Sequence, residues 1–197
     1  MNFFKSKTKD CIYHKKKALS KDKCDLVIQL FENDGMNWKE GTMVSGLDEK
    51  KKKCTELFVE KNQKNPYNDL FLNEMNIVLE EYKKEYPFLD RLPYWGFDKW
   101  YKIQWYYPGE AYFTLHCENE GHHIDDNPLS NRVLAWMIYL NDVTEGGYTE
   151  FPTQNKLLQP RSGDMIIWPA YWTHPHRGIA SKTQTKYIMT GWYSFCC

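Results

Sequence analysis

The stretch that decides the fold is Arg132-Val133-Leu134-Ala135-Trp136-Met137-Ile138-Tyr139-Leu140. After its first residue it is apolar at nearly every position, so an extended chain would bury its side chains on both faces. A strand with two buried faces lies inside a sheet that has other layers packed on either side. The stretch therefore predicts a central strand of a layered β-structure.

Shorter segments of strand character flank this stretch on both sides, with glycine- and proline-containing turns between them. We predict strands at 101–107, 111–118, 165–168 and 187–192, and turns at 146–147 and 160–164. Several short strands separated by regular turns are typical of a jelly roll or a barrel.

Two helices are predicted before the strands. Ser20 is a suitable N-cap for a helix over residues 21–33. Asn65 and Pro66 suit the cap and the first turn of a second helix, which Pro87 ends. We therefore expect an α+β, mainly β fold: a double-stranded β-helix (jelly-roll, cupin-like) core with the N-terminal helices packed on one sheet.

The composition limits the class of protein. The 197 residues fit one domain, with 1–99 as a helical support region and 100–197 as the jelly-roll core. Lysine plus arginine and aspartate plus glutamate both number 26, so the net charge is zero and no nucleic-acid partner is expected. The charged run at 50–53 predicts a solvated loop.

Location is predicted from two further features. The sequence contains no apolar run of the roughly 18 residues that a membrane helix needs, so no membrane partner is expected. The six cysteines form no CxxC pair, and no apolar run at the N-terminus resembles a secretion signal. We therefore expect reduced thiols and a cytoplasmic location.

Four residues in the C-terminal half carry the chemistry. His116 and Glu118 leave the same face of the chain if their segment is extended. His176 lies 60 residues after His116, and Lys186 follows it by 10. Two imidazoles and one carboxylate form the facial triad that binds non-haem Fe(II) and leaves coordination positions open. A lysine facing the interior needs an anion, such as the far carboxylate of a dicarboxylate bound to that metal. The pattern indicates the chemistry of a 2-oxoglutarate-dependent oxygenase.

The pattern leaves alternatives open for all three of these metal ligands. His123-Ile124-Asp125 is also an HxD motif, although its flanks are typical of a connecting loop. His174 shares a face with His176 in an extended segment, and it is a group beside the metal, a substrate-side group or a packed imidazole.

Other candidates near these residues are better explained by packing. Cys117 alternates away from the metal and is expected in the core rather than as a ligand. Trp168, Trp172 and Trp192 either line a substrate groove or pack in the core, and core packing is the favoured interpretation for any one of them.

A series of motifs surrounds the candidate residues in a fixed order. They are residues 106–112 (YYPGEAY), 139–142 (YLND), 145–152 (EGGYTEFP), 160–164 (PRSGD) and 176–178 (HRG), followed by Lys186 and Trp192. In these motifs the sequence resembles the prolyl 4-hydroxylase family of Fe(II)/2-oxoglutarate dioxygenases, in particular its short bacterial and phage-encoded members. The resemblance covers residues 100–194 strongly.

The resemblance implies that His116, Glu118 and His176 bind Fe(II). It favours His176 over His174 because the family places its buried cation ten residues after the second histidine. The family motif is more commonly HxD, whereas this chain has Glu118. Glutamate keeps the charge and the oxygen donor but adds a methylene, so the carboxylate must fold back to reach the metal.

The resemblance also implies a co-substrate and a reaction. Lys186 would bind the C5 carboxylate of 2-oxoglutarate, with Tyr112 and Thr149 donating hydrogen bonds nearby. O2 would be the oxidant, succinate and CO2 would be released, and ascorbate is an optional accessory reductant. The implied substrate is a prolyl residue in a peptide or protein, with specificity loops around 36–66 and 119–130.

Two other functional classes are also compatible with the sequence. One is a non-catalytic cupin-like module that binds a metal or a ligand. The other is an oxygenase that acts on a lysyl side chain, a free amino acid or another non-prolyl substrate.

Overall fold

The computed structural model describes residues 9–41, 43, 46–119 and 131–195. Within these ranges the chain forms two helices, α1 (Lys21–Asn33) and α2 (Pro66–Glu85). It also forms the strands β1 (Tyr13–Lys15), β2 (Lys39–Glu40), β3 (Thr55–Glu60), β4 (Trp95–Tyr106), β5 (Arg132–Tyr139), β6 (Thr149–Phe151), β7 (Lys156–Leu158), β8 (Met165–Pro169), β9 (Arg177–Gly178) and β10 (Lys186–Phe195).

Two antiparallel sheets face each other. The larger has seven strands in the order β1-β8-β5-β10-β4-β3-β2, and the smaller has three in the order β7-β6-β9. Strand β5 lies between β8 and β10, which confirms the prediction of a central strand. Gly191 of β10 is opposite Trp136 of β5, and a Cβ at Gly191 would lie 2.7 Å from the Trp136 ring. The close approach of the indole therefore requires glycine at this position.

The helices cover the outer face of the large sheet. The Ser20 side chain accepts a hydrogen bond from the amide of Lys23 at the start of α1, and Asn65 caps α2 in the same way. Phe71 of α2 packs with ring centroids 5.0 Å from Tyr101 and 5.5 Å from Trp136. The fold prediction is confirmed in both its helices and its mainly β core.

The inner face of the large sheet carries the alternate side chains of the same strands. Tyr101 and Ile103 of β4 face the helices, whereas Lys102 and Gln104 face inward. A second hydrophobic cluster lies on the inner face, where Phe151 of the small sheet packs against the large sheet. The space between the two sheets is thus part core and part cleft.

The structure lacks one predicted strand, begins β4 at Trp95 instead of residue 101, and adds strands that the sequence did not predict. Residues 111–118 form no regular strand, because they pair first with Lys52 and then with His176 through isolated bridges. The N-terminal region contributes β1, β2 and β3 to the large sheet as well as the two helices. Among the described residues, neither helix combines the length and apolarity that a membrane crossing needs.

Candidate active site

A cleft of about 1660 Å³ includes the space between the two sheets and extends to residues 30–37 and 65–67 beside the helices. Its floor consists of the inward-facing side chains of neighbouring strands. Lys102, Gln104 and Tyr106 come from β4, and Lys186, Ile188, Thr190 and Trp192 come from β10. Thr149 of β6 and the segment that carries His116 also line it. Strand alternation therefore projects polar groups from several strands into one space.

His116, Glu118 and His176 converge in this cleft. The backbones of His116 and His176 pair through two hydrogen bonds of 3.0 and 2.8 Å, which place the imidazole centroids 4.4 Å apart. The Oε1 atom of Glu118 lies 3.6 Å from Nε2 of His116 and 3.3 Å from Nε2 of His176. One donor atom from each residue lies within 4.8 Å of the other two.

Backbone carbonyls fix the tautomer of both histidines. Nδ1 of His116 lies 2.9 Å from the carbonyl oxygen of Thr114, and Nδ1 of His176 lies 3.1 Å from that of His174. Because a carbonyl oxygen only accepts, Nδ1 carries the proton, and in the neutral ring Nε2 presents its lone pair to the cleft. Burial, with a smaller contribution from His116, lowers the pKa of His176 and favours that neutral ring.

Two side chains hold the second oxygen of Glu118. Trp192 donates from Nε1 to Oε2 at 2.8 Å, and Arg132 donates from Nη1 to Oε2 at 3.4 Å. Arg132 also donates to the backbone carbonyl of Glu118 at 3.1 Å and stacks 3.5 Å from the Trp192 ring. Burial would raise the pKa of Glu118, but the proximity of the His116 and His176 imidazoles outweighs burial and keeps this pKa well below its usual range. The group is therefore a carboxylate whose Oε1 faces the two imidazoles.

This donor set fits a divalent transition metal. Two imidazole nitrogens and one carboxylate oxygen are the ligands of a facial triad, which suits Fe(II). Donors that bind one ion at about 2.1 Å and meet at a right angle lie about 3 Å apart. The observed separations of 3.3 and 3.6 Å are close to that value.

Lys186 lies in the same cleft and is 5% exposed. Its ammonium donates to the carbonyl oxygen of Gly147 at 3.0 Å and lies 5.0 Å from the centroid of Tyr106. Within the described part of the chain it has no carboxylate partner. Burial lowers its pKa to about 8. A buried cation without a counter-ion can bind an anionic ligand, because the ligand would offset the cost of desolvation.

Tyr112 and Thr149 occupy the walls on either side of these groups. Tyr112 stacks on His116 with ring centroids 3.7 Å apart. Thr149 accepts a 2.8 Å hydrogen bond from the Tyr139 hydroxyl, and its own hydroxyl points to the sulfur of Met137 at 3.8 Å. A thioether is a weak acceptor, so a stronger acceptor in the cleft could replace it.

The alternative ligands have different positions. The His174 ring bonds the carbonyl of Asp10 at 2.8 Å and the hydroxyl of Thr173 at 2.9 Å, so it is a packed imidazole. It contributes to the site through its carbonyl, which fixes His176. His123 and Asp125 lie outside the described residues.

Sequence reasoning missed a buried network that lines the same region as the candidate metal ligands. Lys52 is 3% exposed and donates 2.8 Å to Glu56, which is fully buried. Lys102 lies 3.3 Å from the same carboxylate, and Gln104 donates to it at 2.9 Å. The solvated-loop prediction for 50–53 is therefore wrong for Lys52, whose partner Glu56 faces inward from β3. A charged run in sequence does not reveal which member meets a buried carboxylate.

Residues 101–194 match the family model of the 2OG-Fe(II) oxygenase superfamily. Over these residues, which are just under half of the chain, the sequence is similar to that family. The chain is also similar to the prolyl 4-hydroxylase subunit alpha-1 of Gallus gallus, with 29% identity over 59 residues. That match covers 30% of this chain and 11% of the relative, so the chain matches about a tenth of the relative's length.

Solved structures of the oxygenase fold cover nearly the whole chain. The viral collagen prolyl hydroxylase of Paramecium Bursaria Chlorella virus-1, in a 2OG complex, aligns with a TM-score of 0.69 and 19% identity over 94% of this chain and 97% of that one. A prolyl hydroxylase of Trichoplax adhaerens, in complex with a hypoxia inducible factor peptide fragment, aligns with a TM-score of 0.67 and 14% identity, covering 94% and 84%. These similarities confirm the jelly-roll fold with its N-terminal helices.

Proposed function

We propose that the protein is an Fe(II)- and 2-oxoglutarate-dependent dioxygenase that hydroxylates a prolyl residue in a peptide or protein and releases succinate and CO2. The observation that carries the proposal is the convergence of His116, Glu118 and His176 within 4.8 Å, in a cleft that also contains Lys186. The oxygenase domain match supports the reaction class. The names of the similar proteins support the prolyl substrate.

His116, Glu118 and His176 are the proposed metal ligands. Fe(II) bound there would supply the oxidative O2 chemistry that protein side chains lack. The protein orients the donors: the carbonyls behind each Nδ1 direct Nε2 to the cleft, and Trp192 keeps Oε1 of Glu118 directed to the same point. Preorganised ligands bind a metal more tightly because their positions need no further ordering.

Lys186 is the proposed partner of the far carboxylate of 2-oxoglutarate. Its ammonium is buried, and a carboxylate would supply the anion that the described surroundings lack. Tyr112 and Thr149 are the proposed hydrogen-bond donors on the cleft walls. The closed, apolar surroundings of Lys186, which include Ile188, exclude water and strengthen that ion pair.

We also propose one catalytic domain over residues 1–197, because β3 of the N-terminal region pairs with β4 of the core along six residues. A cytoplasmic location is part of this proposal, and the free thiols of the described cysteines support it. Ascorbate is proposed as an accessory reductant.

The test is anaerobic reconstitution followed by turnover. Purified protein receives Fe(II), 2-oxoglutarate and then O2, with a panel of peptides that contain proline, lysine or neither, in the presence and absence of ascorbate. We expect stoichiometric Fe(II) binding, formation of succinate, and a mass gain of one oxygen atom on the prolyl peptides. His176→Ala is the matched inactive control.

The outcomes separate the functional classes. Protein that binds no Fe(II) and forms no succinate is a non-catalytic module, and the proposal is then wrong. Succinate formation with oxygen added to a lysyl peptide or to a free amino acid keeps the oxygenase but refutes the prolyl substrate.

A further inference from the structure

The described residues that line the cleft carry a net positive charge, whereas the whole chain has a net charge of zero. The protein has equal numbers of acidic and basic residues. Among the described residues that line the cleft, eight are lysine or arginine and four are aspartate or glutamate. Such a surplus attracts anionic ligands. The proposed role of Lys186 in binding 2-oxoglutarate uses one of these cations and leaves others to be explained.

Lys102 shares the buried carboxylate of Glu56 with Lys52 and Gln104. Lys52 and Gln104 both donate to Oε2 of Glu56, at 2.8 and 2.9 Å. Lys102 lies farther away, 3.3 Å from Oε1 and 3.4 Å from Oε2 of the same carboxylate. Of the two ammonium groups, that of Lys52 therefore lies closer to Glu56, and that of Lys102 is held at a longer distance.

Lys102 is also the member of this group that faces the cleft. Its side chain is 13% exposed, compared with 3% for Lys52 and none for Glu56. Its ammonium lies 4.4 Å from the centroid of Phe58 and 6.0 Å from that of Trp192. An ammonium has three N–H donors, and Glu56 is its one hydrogen-bonding partner within the described ranges. Burial, followed by the charge of Lys52, lowers the pKa of Lys102 to about 8.

We infer that Lys102 determines substrate specificity by binding the carboxylate of an acidic residue near the target proline. This inference rests on the proposed function. The Trp192 indole donates to the Glu118 carboxylate at 2.8 Å, and its ring centroid lies 6.0 Å from the Lys102 ammonium, so both sites adjoin the same indole. An extended peptide advances about 3.4 Å per residue, which places the acidic residue within about three residues of the hydroxylated position.

The test measures peptide binding without turnover. Fluorescent peptides carry one proline among neutral residues, with Glu, Gln or Lys at each of the three positions on either side. Their dissociation constants are measured by anisotropy under anaerobic conditions, with Fe(II) and 2-oxoglutarate present. We expect Glu at one position to improve binding at least tenfold over Gln, and Lys102→Gln to remove that difference. Lys102→Glu should instead favour Lys at the same position.

Lys83→Gln is the matched control. Lys83 lies on α2 and pairs with Asp90 at 2.8 Å, outside the cleft, so its loss should leave the Glu preference unchanged. Lys102→Met, which keeps the apolar stem, replaces the other variants if thermal melting shows that they do not fold. It should also remove the Glu preference.

Three results would overturn the inference. They are a wild-type protein without a Glu preference, a preference that survives loss of Lys102, and a Lys102 variant that weakens 2-oxoglutarate binding alone. The last result would assign the carboxylate to the co-substrate. Failure of the proposed function is seen separately, as absence of succinate from wild-type protein supplied with O2, and it leaves the peptide affinities readable.

Discussion

The indole Nε1 of Trp192 donates a 2.8 Å hydrogen bond to Oε2 of Glu118. This bond joins Trp192 of β10, which lines the cleft, to Glu118, a proposed metal ligand 74 positions earlier in the chain. Arg132 completes the arrangement by stacking on the indole and bonding the same carboxylate. A glutamate has one more rotatable bond than the aspartate of the common motif, and these two partners restrict it.

Trp192→Phe should weaken metal binding by about 10- to 100-fold, the usual effect of removing a group that orients a ligand. The phenyl ring keeps much of the packing but cannot donate to Oε2. Anaerobic calorimetric titration of Fe(II) measures the change. Trp168→Phe is the control, because this indole packs 5.0 Å from His176 and its Nε1 has no hydrogen-bond partner in the described structure. Equal losses in both variants would show that packing, rather than the hydrogen bond, determines affinity.

Glu118→Asp tests whether the hydrogen bond from Trp192 positions the longer side chain of the glutamate. An aspartate is shorter, so it should not reach the metal and Trp192 together. We expect Trp192→Phe to cost less Fe(II) affinity in the Glu118→Asp background than in the wild type. The four proteins form a double-mutant cycle, whose interaction term measures the coupling. Additive effects would mean that Trp192 does not act through Glu118.

The two nearby histidines should respond differently to removal. His176→Ala should abolish measurable Fe(II) binding because it removes a ligand. His174→Ala should keep the affinity within a few-fold, because the carbonyl that fixes His176 belongs to the backbone. It should destabilise the protein by about 1–3 kcal/mol, because a buried ring and its hydrogen bonds with Asp10 and Thr173 are lost. Titration of Fe(II) and urea unfolding measure the two effects.

His123→Ala extends this comparison to the alternative HxD motif. We expect it to leave Fe(II) affinity and turnover close to those of the wild type. Loss of iron in this variant, with retention in His116→Ala, would reverse the choice of ligands.

Local signals predicted the elements that depend on neighbours in sequence. The caps at Ser20 and Asn65 define both helix starts, because a capping side chain acts within three residues. The apolar run at 132–140 defined the central strand. The regular strand expected at 111–118 was wrong, since its pairing depends on Lys52 and His176, which lie far away in sequence.

The candidate site also contains residues that sequence signals identify and residues whose role depends on tertiary contacts. The spacing of His116, Glu118 and His176 indicated a metal site because those residue types have a distinctive chemistry. Arg132 and Trp192 gave no such signal, because an arginine that begins an apolar strand and a tryptophan on another strand are common. Their role depends on the register between β5 and β10, which is a tertiary property.

Glu56→Gln should destabilise the protein by about 3–5 kcal/mol, because it removes the buried carboxylate that the ammonium groups of Lys52 and Lys102 both contact. Urea denaturation at neutral pH measures the loss. Glu80→Gln is the control, since its carboxylate is 61% exposed beside Lys83 and should contribute less than about 1 kcal/mol. A loss as small as that of the control would mean that water reaches the Glu56 network.

The affinity for 2-oxoglutarate should fall as the pH rises above about 8. Burial lowers the pKa of Lys186 from 10.5 to about 8 in the free protein, whereas a bound carboxylate favours the ammonium form. Binding above about pH 8 therefore requires uptake of one proton, and the affinity should fall by up to tenfold per pH unit. Competition calorimetry with 2-oxoglutarate, at constant Fe(II), measures this slope.

Lys186→Arg should abolish the slope, because a guanidinium stays charged over this range, although the altered geometry should weaken binding at every pH. Lys102→Met should keep the slope if Lys102 contacts the peptide and not the co-substrate.

In the absence of ligand, the free energy of unfolding should change in the opposite direction and rise with pH. The unfolded chain binds the Lys186 proton up to pH 10.5 but the folded chain only up to about 8, so the contribution of Lys186 makes the fold more stable as pH rises between these values. A 2-oxoglutarate affinity that is flat in the wild type across this window would place the carboxylate away from Lys186.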